Sequence, residues 1–216
     1  MGRLKSYGIF FVGIVLVALG IVLFVKAALG TTPISSMLYV LSLALPFSMG
    51  FFNFVTSAMA FAAQLLILGR QFPRFQWFQL PVSLLFSAGI DAWMYALSWI
   101  TPETLPQQWA LMLLACLTMG VGVALEVKGH VIMLPFEAFV NTVAETWNVR
   151  FGNVKMIFDW TQVLLAAAFS LYFFGHIEGI REATLISAFS TGFLVKCFLN
   201  YLPEWLKRYK VLGIRY

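Results

Sequence analysis

The sequence has little of what water-soluble chemistry relies on. Charged residues fill 11% of its 216 positions and histidine occurs twice, against 61% hydrophobic residues and a mean hydropathy of +0.88. Soluble domains carry roughly 25% charged and about 45–50% apolar residues. A water-soluble globular domain is therefore excluded, and an integral membrane protein is expected. The two cysteines, Cys116 and Cys197, stand singly inside apolar runs, with neither a CxxC nor a regular spacing. They read as small apolar packers, not as a disulfide or a metal pair. His130 and His176 lack a partner at i+3 or i+4, and neither HExxH nor GxSxG occurs. No metal, no cofactor and no enzymatic activity are expected.

What the chain does have is long apolar runs. Six blocks, residues 7–29, 50–69, 78–100, 107–127, 153–175 and 183–202, approach the ~20 residues that a bilayer-crossing helix needs. Arg3 and Lys5 precede the first as they would a signal peptide, but its uncharged run 6–25 is too long for a signal-peptide core, so it is read as a retained span.

One shift relates the two ends of the chain. Gly20, Lys26, Pro33 and Gly50 recur as Gly122, Lys128, Pro135 and Gly152, each 102 residues later. "GIVLFVKAALGTTPIS" becomes "GVALEVKGHVIMLPFE", and with one inserted residue "LFSAGI" (85–90) becomes "AFSTGF" (188–193). Matching Gly and apolar residues are cheap in such a composition, whereas matching Lys and Pro are not. The expected organisation is a first membrane repeat (residues 1–104), a second (105–203) and a basic cytoplasmic tail (204–216).

Each repeat reads as a long helix, a break, a short helical piece and two more long helices. The short pieces, 31–46 and 132–147, would reach roughly 24 Å and fall short of the ~30 Å hydrocarbon thickness, as re-entrant or broken helices do. The second carries Glu137, Asn141 and Glu145 at i, i+4, i+8, a polar stripe suited to a cavity wall and not to lipid. Charge chooses the topology. Six spans leave eleven Lys or Arg inside against Lys26 and Arg181 outside, whereas eight crossings leave eight against five. The positive-inside rule favours six spans with both termini cytoplasmic. Three spans per repeat place the second half upside down relative to the first, an arrangement known from transporters. The fold class expected is thus an all-α polytopic membrane protein of two inverted-topology repeats.

Pro33 and Pro135 each suit the first position of a helix, and Thr32 suits the N-cap before it. Lys26 and Lys128 precede those helix starts by seven residues, which with the positive dipole ends would make a place for an anionic group. The plainer reading is that both lysines snorkel to the interface. Asp91 lies mid-block in "GIDAWMYAL", where an ionisable group faces a bundle interior or a water path, and Lys196 of the matching block is a candidate partner. Lys155 and Asp159, at i, i+4, can neutralise each other, while Glu126 and Glu137 are candidates for proton coupling. The substrate-binding set expected is Lys26, Thr31, Thr32, Asp91, Lys128 and Glu137, with Glu126, Lys155, Asp159 and Lys196 as coupling groups or structural ion pairs. Trp77, Trp99, Trp109, Trp205 and Tyr7 fit an interfacial belt, and the tail "EWLKRYKVLGIRY" suits anionic headgroups more than nucleic acid.

The runs "LGTTPISSM" (29–37), "GID" (89–91), "MLPFEAFV" (133–140), "VKMIFDW" (154–160) and "GIREATLISAFSTG" (179–192) resemble the YitT/YczE-like family of bacterial integral membrane proteins. The resemblance covers nearly the whole chain. It implies a permease of the bacterial inner membrane and leaves the substrate open. The chain departs from the family pattern at Glu182-Ala183-Thr184, where Glu-Gly-Thr would be expected. Three functions follow in order: a small-solute transporter for an anionic or zwitterionic metabolite, a channel for water or a small ion, and a membrane-embedded assembly partner of another system. The expected partners are that solute and the lipid bilayer, with homo-oligomerisation left open.

Overall fold

Helices form where apolar runs persist and stop where Gly, Pro and Ser cluster. The computed structural model describes residues 3–129, 131–181, 183, 184, 186, 187, 193–195, 197 and 198. His130, Glu182, Lys196, most of the block 183–202 and the tail 204–216 lie outside the described residues. Within them the elements are α1 (Arg3–Ala27), α2 (Pro33–Ala44), α3 (Met49–Leu68), α4 (Gln79–Ala96), α5 (Leu105–Gly129), α6 (Pro135–Thr146) and α7 (Phe151–Phe174), with two 3₁₀ turns between α3 and α4. No strand occurs among the described residues.

Four segments, Lys5–Ala27, Met49–Gln71, Leu105–Gly129 and Phe151–Phe174, are long and apolar enough to cross a membrane, and the fold is that of a helical membrane protein. They coincide with four of the six expected blocks. The block 78–100 contracts to the 18 residues of α4, in which Gln79, Ser83, Ser87 and Asp91 place a polar group at every fourth position. The short pieces contract too. α2 and α6 have 12 residues each, about 18 Å of rise, because Thr32 and Leu134 are still extended and Pro33 and Pro135 begin the helical turns. The starts keep one spacing: Arg3 and Leu105, Pro33 and Pro135, Met49 and Phe151 are each 102 residues apart.

The centre of the molecule is the α1–α5 pair. Gly13, Gly20 and Ala27 on α1, and Ala115, Gly122 and Gly129 on α5, repeat at seven-residue intervals and are all buried. A seven-residue repeat of small residues keeps one seam facing the partner and lets the backbones approach. The approach is close. A methyl group on Gly13 would lie 2.6 Å from the Glu126 nitrogen, one on Gly122 2.7 Å from the Val17 nitrogen, and one on Gly129 2.6 Å from Phe10 Cβ. A methyl on Gly20 would lie 2.9 Å from Met119 Cβ. Residues rising along α1 thus meet residues falling along α5, so the two helices run antiparallel.

Around this pair, α2 packs on α7 and α6 packs on α3. α3 and α4 are joined, also antiparallel, by a polar seam. Asn53 Nδ2 donates to Ser87 Oγ at 2.8 Å, and Gln64 and Gln79 exchange amide hydrogen bonds of 3.1 Å each. Such side-chain bonds between membrane helices contribute about 0.6 kcal/mol each on average. Gln64 Nε2 also donates to the Pro135 carbonyl at 3.1 Å, which ties the seam to the start of α6.

The break after α1 is held from the other half of the chain. Gly30 adopts φ +104°, and a methyl group there would lie 2.7 Å from the Arg181 nitrogen. Thr31 N–H donates to the Gly179 carbonyl at 3.3 Å, Ala183 N–H to the Leu29 carbonyl at 2.9 Å, and Arg181 Nη1 to the Ala28 carbonyl at 3.1 Å.

Candidate functional site

At the start of α2 the hydroxyls of Thr32, Ser35 and Ser36 are satisfied within the first turn. Thr32 is the N-cap, its Oγ1 accepting from Ser35 N–H at 3.4 Å and donating to Ser35 Oγ at 2.7 Å. Ser36 Oγ donates back to the Thr32 carbonyl at 2.9 Å. Thr31 is buried and its Oγ1 has no hydrogen-bond partner among the described residues. Lys26 is half-buried in the last turn of α1.

The start of α6 is built differently. Leu134 stands at the N-cap position and offers no side-chain oxygen, so the first turn relies on Glu137, the acidic residue at its third position. Glu137 accepts from its own backbone N–H and is within electrostatic reach of Glu126 on α5 and of Lys155 and Asp159 on α7. Its Oε2 is buried without a hydrogen-bond partner among the described residues. Lys155 and Asp159 pair with each other across one turn of α7, both about a quarter exposed. The rest of the α6 stripe turns outward: Asn141 Nδ2 donates to Glu145 Oε1 at 2.9 Å, and Glu145 is exposed. Phe136 and Phe139 close the α6–α7 contact on Phe158, with ring centroids 5.9 and 5.8 Å apart.

The expected site residues are therefore not gathered in one place. Glu126, Glu137, Lys155 and Asp159 converge at the start of α6, and Lys128 is in the last turn of α5 with its Nζ buried. Because α1 and α5 are antiparallel and each carries its lysine in the last turn, Lys26 and Lys128 lie at opposite ends of the pair, roughly 22 Å apart along the axis. Thr31 and Thr32 belong to the α2 end. Asp91 sits in the last two turns of α4 against the first turn of α3. There Gly50 N–H donates to Oδ1 at 2.8 Å and Ser48 Oγ donates to Oδ2 at 2.6 Å. The carboxylate thus closes the positive end of α3. Gly50 permits this approach, since a methyl group there would lie 2.3 Å from the Ser87 carbonyl. Lys196 is outside the described residues.

Two participants escaped the sequence reading. Gln162, 7% exposed, lies on the α7 face of Lys155 and Asp159, and its Oε1 has no hydrogen-bond partner among the described residues. The Gln64–Gln79 pair abuts the start of α6. A signal for both was present: 155, 159 and 162 follow i, i+4, i+7, and Gln79, Ser83, Ser87 and Asp91 follow a four-residue ladder.

No group of three or more His, Cys, Asp or Glu among the described residues is placed to hold a metal ion. No curated protein and no solved structure matches the chain. The model of one protein family, described as Family of unknown function (DUF6198), matches residues 4–200, so the fold and the charged α6 start described above are those of a member of that family.

Proposed function

We propose that this protein is a small-solute transporter built of two inverted-topology repeats, with its site at the interface between them. The observation that carries the reading is the antiparallel packing of α1 on α5. These helices open the two halves and are related by the 102-residue shift, so their opposed directions support an inverted arrangement. Two 12-residue helices, each preceded by a break, support the discontinuous-helix architecture in which transporters hold their solutes. The buried charges around Glu137 support a polar path inside an otherwise apolar bundle. On this reading α4 and the block 183–202 complete six spans, both termini are cytoplasmic, and the membrane is the bacterial inner membrane implied by the YitT/YczE-like resemblance.

Topology is the part to test first. In a chain with Cys116 and Cys197 replaced by serine, a single cysteine at Phe75 or Ile177, both exposed, reports its side of the membrane through an impermeant maleimide. Phe75→Cys is expected to label only from the cytoplasmic side and Ile177→Cys only from outside. Labelling of both from one side ends the inverted model.

A further inference from the structure

We infer that Glu137 and Gln162 together take the ammonium group of a small cationic or zwitterionic solute. The first ground is hydrogen bonding. Glu137 Oε2 on α6 and Gln162 Oε1 on α7 are buried acceptors on two helices in contact, and neither has a donor among the described residues. A buried acceptor left without a donor costs about 1–3 kcal/mol, so two on adjoining helices call for a group that brings N–H bonds to both. The second ground is charge. Within electrostatic reach of Glu137 are Glu126 from α5 and Lys155 and Asp159 from α7, while the neutral Gln64–Gln79 pair of α3 and α4 reaches the Pro135 carbonyl two residues before it. Lys155 and Asp159 already pair, which leaves Glu126 and Glu137 as two neighbouring carboxylates. A monovalent ammonium offsets that negative charge. Among the described residues no three His, Cys, Asp or Glu are placed to hold a metal ion there.

The inference names the solute class of the transporter proposed above, and binding is measured apart from flux. Purified full-length protein in lipid nanodiscs is heated with propylammonium, β-alanine, propionate or tetramethylammonium, in the wild type, Glu137→Gln and Gln162→Leu. A ligand of the native state raises the melting temperature by mass action. Propylammonium, β-alanine or both are expected to stabilise the wild type, and the pair tells a cation from a zwitterion. Tetramethylammonium, with the charge but no N–H, is expected to have no effect. Gln162→Leu is expected to weaken the apparent affinity about tenfold, the loss of one charge-assisted bond, and Glu137→Gln to abolish the shift. Should Glu137→Gln fail to fold, the Gln162→Leu and tetramethylammonium arms still decide. Stabilisation by propionate alone, by none of the four, or equally in the variants overturns the inference. Binding without uptake into proteoliposomes would instead sink the transporter reading and leave the site standing.

Discussion

The two halves of the chain solve one problem with different chemistry. In the first, Thr32 and Ser35 cap the short helix, and Asn53 and Ser57 line the helix that follows, all of them neutral and buried. At the same places 102 residues later stand Leu134, Glu137, Lys155 and Asp159. The neutral set closes on itself: Thr32 with Ser35, and Asn53 with Ser87. The charged set does not, since Glu137 keeps one buried oxygen without a partner. The helix starts keep the 102-residue spacing while the side chains at these places change from neutral to charged.

The comparison breaks most severely at what the halves share. Gly122→Leu is expected to cost upward of about 3 kcal/mol, because the new side chain meets the Val17 backbone and not a movable side chain. Gly8→Ala and Gly152→Ala, with nothing within 4 Å of the added methyl, are expected to be neutral or stabilising by up to about 1 kcal/mol. Thermal unfolding in nanodiscs distinguishes them. If all three behave alike, the α1–α5 seam is not the common core.

Exchanging the chemistry of the halves sharpens it. Asp159→Ser leaves Lys155 partly buried without its partner and is expected to cost about 1–3 kcal/mol, below the ~3–5 of a fully buried pair. Lys155→Asn/Asp159→Ser restores the first half's residues and is expected to recover most of that loss. A double-mutant cycle measures the coupling, and additive losses would show that the pair is not a unit.

The smallest effect lies in the loop that follows α7. His176 Nε2 is 2.9 Å from Glu178 Oε1 and Nδ1 is 2.9 Å from the Phe174 carbonyl, so both ring nitrogens face acceptors. The hydrogen bond to Glu178 first, and that to the carbonyl second, raise the histidine above its ordinary value. The stabilisation of the 175–181 loop is therefore complete below the unfolded-state value near about 6.5 and is lost as pH rises through the higher folded-state value. Histidine NMR titration is expected to give a midpoint above ~6.5 that moves back toward it in Glu178→Gln. An unmoved midpoint would show that Glu178 does not set it.

Much of the fold was legible because local chemistry dictates it. Pro33 and Pro135 mark helix starts whatever surrounds them, and the four long apolar helices follow from hydropathy alone. The α3–α4 seam was not read, because averaging over a span-length window hides single polar residues at four-residue spacing. Asp91 was legible as a charge inside an apolar block, but its bonds to Ser48 and Gly50 depend on a contact some forty residues away along the chain. Glu126 and Glu137 meet only because the chain breaks and turns back between α5 and α6, which spacing along the sequence does not express.

The seam between α1 and α5 also has a consequence for synthesis. α1 is the most enclosed of the four long apolar segments, yet the helix that encloses it begins at Leu105. A ribosome must therefore deliver three further helices before the glycines of the first one find their counterpart. Until then α1 waits in the bilayer with its narrow face against lipid tails. A chain halted near residue 104 would have finished α1 to α4 and still lack the centre of its fold, which makes it a ready substrate for membrane quality-control proteases.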